Sequence, residues 1–112
     1  MAETQTVDRA DWASALERLT ARHAGDEVTI ELLDETYGDL NKAAHMPLSS
    51  VMYDPRDDTV VIGVGGTSSR YPVTLRHFVA HPTGIDIYES HAGAALRVTA
   101  EDASTIVTFY HR

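Results

Sequence analysis

Apolar residues recur every three or four positions near the start of the chain and then alternate with polar residues along most of the remainder. The residues at helical spacing are Trp12, Ala15, Leu16, Leu19 and His23. This spacing predicts a helix over residues 9–23 with one buried face. We expect Asp8 or Asp11 to cap its first amides and Gly25 to follow its last turn.

After Gly25 the apolar period changes to two, which is typical of a half-buried strand that contains Val28, Ile30 and Leu32. A hairpin follows in SVMYDPRDDTVVIGVGG, where DPRDD is the turn between two alternating stretches. Three more strands are predicted in IDIYES, ALRVTA and TIVTFY, with turns at SHAGA and AEDAS. The chain therefore passes from one helix into a series of short strands.

The residue pattern of two segments is compatible with either a helix or a strand. TYGDLNKAAHMPL has apolar positions that suit a short helix, but its Tyr37, Gly38 and Pro47 suit an edge strand, and we favour the strand. YPVTLRHFVAHP also has a helical stripe, but the prolines at both ends leave little room for a helix. Its β-branched and aromatic residues favour extended backbone, so we interpret this segment as a strand as well.

The choice for YPVTLRHFVAHP decides whether His77 and His81 can share a metal. On a helix the two rings would lie on one face, about 5–6 Å apart at Cβ. On a strand four residues span about 13 Å, too far for two imidazoles on one zinc ion. The strand interpretation puts two sets of residues on opposite faces: Val73, Leu75, His77, Val79 and His81 on one, and Thr74, Arg76, Phe78 and Ala80 on the other.

Together these elements predict a single α+β domain over residues 1–112. Its N-terminal helix should pack, with Trp12 inward, on a curved antiparallel sheet of six to eight strands. Tight turns between consecutive strands favour a meander, and a roll is the alternative.

Composition narrows the classes of partner. The chain has no cysteine, which excludes disulfides and thiolate chemistry and makes the cytoplasm the expected compartment. Seventeen acidic residues against nine basic ones give a net charge of −8, which disfavours nucleic acid as a partner. No apolar stretch reaches the roughly 20 residues of a membrane span, and no signal peptide is evident at the start, so no membrane association is expected.

Most motifs with chemical potential have simpler explanations. Asp54, Asp57 and Asp58 lack the ligand spacing of a calcium loop and fit a hairpin turn. GVGGTSS lacks the lysine and the following helix of a phosphate loop, and we expect a flexible connection. The acids of LDETYGD fit a solvated turn. We therefore expect no metal and no cofactor.

Four blocks of the chain resemble the short bacterial proteins of domain-of-unknown-function family 5335. The blocks are RADWASALERLTARHAG, PLSSVMYDPRDDTVVIGVGG, LRHFVAHPTGIDIYE and LRVTAEDASTIVTFY. The positions most characteristic of the resemblance are Trp12, Leu48, Tyr53, Asp54, His77 and Pro82. The resemblance covers nearly the whole chain and implies a compact cytoplasmic domain. It implies no activity, substrate or catalytic residue.

The sequence supports two hypotheses of function. The first is a non-catalytic module that binds a protein partner or forms a homodimer through edge strands. The alternative is a binder of small anionic molecules, or a minor enzyme, with a pocket around His77. The candidate binding residues are Tyr53, Asp54, Arg76 and His77. Arg76 and His77 point to opposite faces of a regular strand, which weakens the alternative.

Overall fold

The computed structural model of the chain describes residues 3–34, 38–66, 70, 72, 74–91, 93–101 and 103–110, with residues 3 and 38–44 described by their backbone alone. Within these ranges the chain forms one α-helix and eight β-strands. No helix in the described part has the length and apolar character that a membrane span requires.

Helix α1 spans Trp12–His23 and continues from a 3-10 turn at Arg9–Asp11. Its buried residues are Trp12, Ala15, Leu16, Leu19 and His23, as the spacing predicts. Gly25 follows the helix with φ of +87°, a conformation that glycine adopts without strain, and its N–H donates to the Leu48 carbonyl at 2.9 Å. The end of the helix is thereby fixed to the sheet.

The expected capping of α1 by Asp8 or Asp11 is wrong. Neither side chain makes a capping hydrogen bond. For Asp11 the 3-10 turn explains this, because the Asp11 N–H donates to the Asp8 carbonyl at 2.8 Å and Asp11 has φ of −103° and ψ of 1°. A capping side chain reaches the first amides from extended backbone, which Asp11 does not have.

The eight strands form one antiparallel sheet in the order β1-β6-β7-β8-β2-β3-β4-β5. Their bounds are β1 Glu3–Thr6, β2 Glu27–Asp34, β3 Gly38–Asp54, β4 Thr59–Gly65, β5 Thr74–Ala80, β6 Gly84–Ser90, β7 Gly93–Ala100 and β8 Ala103–Tyr110. The sheet combines two meanders, β2 to β5 and β6 to β8, which join where β8 pairs with β2. The predicted helix on an antiparallel sheet is confirmed, as are the strands chosen for the two ambiguous segments.

The sheet is strongly curved along β3. The first part of this strand pairs with β2 and the second part with β4, and the ladders shift register at Val28, Ile30 and Leu48. His45, within β3, has φ of +52°. Such irregularities increase the local twist and bend a sheet. As a result, His77 of β5 lies 3.3 Å from the hydroxyl of Thr105 on β8, although three strands separate them in the sheet.

The concave side of the sheet holds the core, and α1 lies against β3. The Thr20 hydroxyl donates to the Val51 carbonyl at 2.8 Å and accepts from the Val51 N–H at 2.9 Å, so helix and strand share polar contacts as well as apolar ones. The largest fully buried side chains are Trp12, Phe109, Leu16, Leu19, Ile30, Leu48, Ile62, Ile85 and Leu96, with Val28, Val51 and Val60. They come from the helix and from both meanders.

Two expectations need correction. The sequence pattern predicts the helix as the first element, but β1 precedes it and pairs with β6 along Glu3–Thr6. The strand that contains His77 ends at Ala80, and His81 turns out of it with φ of +52°. The predictions for Glu35, Tyr37, Val73 and the loop at residues 67–69 lie outside the described residues.

Candidate functional site

The candidate residues Tyr53 and His77 lie on the same concave face but are not adjacent. Tyr53 is opposite Val60 of β4, and Val60 is opposite Val79 of β5, two residues beyond His77. Strand β4 therefore separates Tyr53 from His77. Arg76 points to the convex face, as expected from strand alternation. The structure does not bring these side chains into one pocket.

His77 is half-buried, and its Nε2 lies 3.3 Å from the Thr105 hydroxyl. His81, by contrast, lies beyond the end of β5, and its Nδ1 is 3.3 Å from an oxygen of Asp58. The two histidines therefore interact with different parts of the molecule. Among the described residues, no group of three or more histidines and acids is placed to hold a metal ion.

A polar cluster, missed by the sequence analysis, surrounds the turn between β3 and β4. We define this Asp58 cluster as Arg9, Trp12, Tyr53, Asp58 and His81. The Tyr53 hydroxyl donates to Asp58 Oδ1 at 2.7 Å, and the Arg9 guanidinium is 3.5 Å from the same oxygen. The His81 ring approaches Oδ2, and its backbone N–H donates to the Asp58 carbonyl at 2.7 Å. One carboxylate thus joins the 3-10 turn, β3 and the end of β5.

Aromatic contacts extend the Asp58 cluster into the core. The Arg9 guanidinium lies 4.2 Å above the centre of the Trp12 ring, and its other nitrogen donates to the Pro82 carbonyl at 3.1 Å. The rings of Trp12 and Tyr53 meet edge to face at 5.2 Å. Both arrangements are favourable for aromatic side chains. The cluster therefore links a surface carboxylate to the most deeply buried aromatic residue of the helix.

Hydrogen bonding sets the charge state of the cluster. The Tyr53 hydroxyl and then the His81 ring hold the pKa of Asp58 below its ordinary value, and Arg9 adds to this effect. The same bond with Asp58 raises the pKa of Tyr53. An ionised carboxylate that already accepts from several donors is a poor general base. The cluster therefore has the properties of a structural clamp.

Asp54, the remaining candidate, belongs to the same turn. Its Oδ1 accepts the Arg56 N–H at 3.0 Å, and this bond keeps the pKa of Asp54 low. The Arg56 side chain approaches the same oxygen at 3.5 Å. These contacts confirm the predicted turn, in which an aspartate stabilises the local backbone.

A groove of about 250 Å³ lies between α1 and the strands β1 and β6. Arg22 and Glu89 form an ion pair at its rim, and Arg18 is one helical turn away. Its lining is largely polar, with Val7, Leu19 and Ile87 as apolar members. None of the four candidate residues lines this groove.

Strand β5 is one of the two edge strands of the sheet, and within the described residues it pairs with β4 alone. The N–H of His81 donates to the Asp58 carbonyl, which fixes the alternation of the ladder between β4 and β5. In an antiparallel ladder, every second residue directs its N–H and C=O to the same neighbour. Leu75, His77 and Val79 therefore bond to β4. The residues whose backbone groups face outward are Thr74, Arg76, Phe78 and Ala80.

Exposed apolar side chains lie beside this open edge. Met52 is opposite Val61, and Val61 is opposite Phe78, so the three form a row across β3, β4 and β5 on the convex face. Phe78 is 60% exposed and Met52 is 52% exposed. We define the β5 surface as this row together with Arg76 and the outward backbone of β5. Exposed apolar residues beside an unpaired strand are typical of a site for strand addition.

Charge is distributed unevenly between this region and the rest of the chain. Residues 59–85 contain two arginines, Arg70 and Arg76, and no acidic residue. The remaining residues contain 17 acids and 7 arginines or lysines, which amounts to −10 against +2 for the segment. The two values add to the net charge of −8. Segment 59–85, which contains β4 and β5, is therefore the basic part of an acidic protein, and this asymmetry is readable in the sequence.

Comparison with known proteins places the chain in a family. The model of a family of unknown function, DUF5335, matches residues 3–112. The chain belongs to this family. This confirms the suspected resemblance and shows that DUF5335 spans the helix and all eight strands described above. An uncharacterised protein of Aquifex aeolicus (strain VF5) is 27% identical over 86 residues, which cover 77% of this chain and 71% of that protein. No solved structure matches the chain.

Proposed function

We propose that this member of DUF5335 is a non-catalytic module of the cytoplasm that binds proteins by adding a strand at β5. The observation that supports the proposal is the unpaired backbone of β5 beside the exposed side chains of Met52 and Phe78. Strand addition needs both features, because backbone hydrogen bonds supply affinity and the neighbouring side chains supply specificity. The absence of cysteine supports the cytoplasmic compartment.

The two ends of the sheet differ in how well they suit this role. The opposite edge is β1, a strand of four polar residues. β5 has seven residues, lacks proline and lysine, and carries an exposed aromatic side chain. Short length, lysine and proline are devices that prevent unwanted pairing at an edge, and β5 has none of them, although it carries the charge of Arg76. A site for a partner, or for a second copy of the chain, is a reason to keep such an edge.

Proline at Arg76 tests the proposal directly. The N–H of Arg76 faces outward, so Arg76→Pro removes a donor of the open edge without removing a bond to β4. Arg76→Thr is the matched control, since it removes the same side chain but keeps the N–H. We expect wild type to retain proteins from an extract of the cells that make the protein. Arg76→Thr should retain the same proteins more weakly, because it lacks the guanidinium, and Arg76→Pro should lose them.

Sedimentation velocity of the three proteins measures whether the chain associates with itself through the same edge. An oligomer that is present in wild type and Arg76→Thr but absent in Arg76→Pro supports strand addition between copies. Retention of the same proteins and the same oligomeric state by all three variants would contradict a role for the β5 edge. Circular dichroism of Arg76→Pro checks that its fold is intact.

A further inference from the structure

We infer that the partner of the β5 surface is an extended segment with carboxylate side chains, one of which lies opposite Arg76. This inference rests on the proposed function, because it assigns the chemistry of the strand that β5 accepts. It goes beyond that proposal by excluding neutral and basic segments as the preferred partners.

The surroundings of Arg76 support a role in recognising an anion. Its neighbour across the ladder is Gly63, which has no side chain to cover or pair with the guanidinium. Within the described residues Arg76 makes no ion pair, whereas Arg9, Arg22 and Arg56 each contact a carboxylate. A residue placed opposite Arg76 on an added strand would have its Cβ about 4.5–5.5 Å from the Cβ of Arg76. That distance suits an ion pair with aspartate or glutamate.

One acid on the same face of the sheet is already engaged. Asp54, on β3, accepts hydrogen bonds from Arg56 and does not neutralise the β5 surface. The 27 residues of segment 59–85 contain no acid. The surface therefore presents positive charge in a protein whose other parts repel anions. An acidic partner is therefore attracted more strongly to the segment that contains β4 and β5 than to the rest of the chain, which gives orientation as well as affinity.

Charge also argues against a second copy of β5 as the preferred occupant. Antiparallel pairing of two β5 strands would bring two acid-free segments of charge +2 together. A two-fold axis at Arg76 would place the two guanidinium groups opposite each other, and an axis at His77 would place them on the diagonal, about 7–8 Å apart at Cα. Like charges at these positions oppose pairing. A carboxylate in the same position would favour it.

The side chains beside Arg76 add a second requirement. Phe78 lies two residues along the same face of β5, and Met52 continues the row across the sheet. A strand that places an acid opposite Arg76 places the residue two positions away opposite Phe78 or Thr74, depending on its direction. An apolar residue there would cover the exposed ring. The preferred segment is thus an extended strand whose face toward this side of the sheet carries both carboxylates and apolar groups.

Two short capped peptides test this inference. One has glutamate and valine in turn at every second position, with threonine at the positions between them, so that one face combines carboxylates and apolar groups. The other peptide has lysine in place of each glutamate. Fluorescence anisotropy of labelled peptides measures binding to the intact protein. We expect the glutamate peptide to bind about tenfold more tightly, because it exchanges a like-charge contact at Arg76 for an ion pair. The difference should decrease at high salt, as for any exposed ion pair.

Variants at one position identify the residue responsible. Arg76→Glu should reverse the preference between the peptides, and Arg76→Pro should remove binding of both. Arg97→Glu is the matched control, since it changes the same charge on an exposed position of β7, an interior strand of the sheet. It should leave the preference for the glutamate peptide in place.

The possible outcomes separate this inference from the proposed function. Equal binding of both peptides that disappears in Arg76→Pro overturns the acidic partner but supports strand addition. Binding that survives in Arg76→Pro contradicts both, and so does failure of both peptides to bind a monomeric wild type. A wild-type dimer that dissociates in Arg76→Pro identifies a second copy as the occupant and overturns the acidic partner.

Discussion

The hydroxyl of Tyr53 donates to the carboxylate of Asp58 at 2.7 Å and closes the turn between β3 and β4. Tyr53 also packs edge to face against Trp12, so the turn is joined to the helix through two aromatic rings. The Asp58 cluster thereby connects the surface turn, the 3-10 turn at Arg9–Asp11 and the core. Its charge state should affect the stability of the fold.

Asp58→Asn should reduce the loss of stability in acid. The folded pKa of Asp58 lies below its ordinary value of 3.8, so its contribution is fully present above pH 3.8 and is lost as the pH falls through the folded pKa. The asparagine variant lacks this titration and should be less stable than wild type near neutrality. The gap should narrow in acid. Urea unfolding followed by Trp12 fluorescence at a series of pH values measures both effects.

Asp57→Asn is the control for this experiment, because it removes the same charge from the same turn without touching the Asp58 cluster. Its pH dependence should follow that of wild type. Equal acid sensitivity of wild type and Asp58→Asn would show that the Asp58 bonds do not stabilise the fold.

Asp58→Asn should also change the titration of Tyr53 at high pH. The bond with Asp58 raises the pKa of Tyr53 above its ordinary value of 10.0. Its contribution to stability is therefore fully present below pH 10.0 and is lost as the pH rises through the folded pKa. In Asp58→Asn the pKa should move back toward 10.0. Phenolate absorbance measures this shift, and Tyr53→Phe identifies the signal among the other tyrosines.

Trp12→Ala should reduce the free energy of unfolding by about 3–5 kcal/mol. Trp12 is 2% exposed, and its indole N–H donates to the Val7 carbonyl at 3.0 Å. Trp12→Phe keeps most of the apolar contact but loses this bond, so it should cost about 1 kcal/mol beyond the loss of volume. Chemical denaturation of both variants beside wild type measures these losses in the free energy of unfolding. A loss below about 1 kcal/mol for Trp12→Ala would show that the aromatic ring does not anchor the helix.

Local pattern was sufficient for the helix and for seven of the strands. The residues spaced for the buried face of α1 are the ones that the core contains, and the turn residues of DPRDD separate β3 from β4. Extended backbone at Val79 and its neighbours was also predictable, since β-branched residues between two prolines leave little alternative. These features depend on residues close in sequence.

Features that depend on distant residues were not predictable. β1 has the polar sequence ETQT and becomes a strand because β6, about 80 residues later, offers it backbone partners. The Asp58 cluster joins Arg9 to a residue 49 positions away, and a turn aspartate gives no sign of such a contact. The bond of His77 with Thr105 likewise requires the curvature of the sheet. Sequence pattern alone contains neither strand order nor curvature.

Gly93→Ala should destabilise the protein by about 1–3 kcal/mol, the usual cost of overpacking. Gly93 begins β7, and a Cβ added there would lie 2.5 Å from the backbone oxygen of Phe109. Gly84→Ala is the matched control at the start of β6, where the nearest atom to an added Cβ, on Thr99, is 4.0 Å away. Thermal unfolding of both variants gives the midpoints to be compared, and that of Gly93→Ala should be the lower. Equal midpoints would contradict the close approach of β7 and β8 at Gly93.

His77→Ala should cost roughly 1–3 kcal/mol, because it removes packing on the concave face and leaves the Thr105 hydroxyl without its ring partner. His81→Ala should cost at most about 1 kcal/mol, since the His81 side chain is 81% exposed and its contact with Asp58 is screened by water. Urea denaturation of the two variants beside wild type separates them. A His77→Ala protein at least as stable as wild type would instead indicate that His77 lines a strained functional pocket.

Amide hydrogen exchange should alternate along β5. The N–H groups of His77 and Val79 bond to β4, whereas those of Arg76 and Phe78 face outward and have no partner in the ladder. Outward amides exchange without any opening of the sheet, and inward amides exchange only when β5 separates from β4. NMR-detected exchange on dilute protein should therefore show fast exchange at Arg76 and Phe78 and slower exchange at His77 and Val79. Uniformly fast exchange would mean that β5 is not stably paired with β4, whereas protection of the outward amides that increases with protein concentration would show a second copy on the open edge.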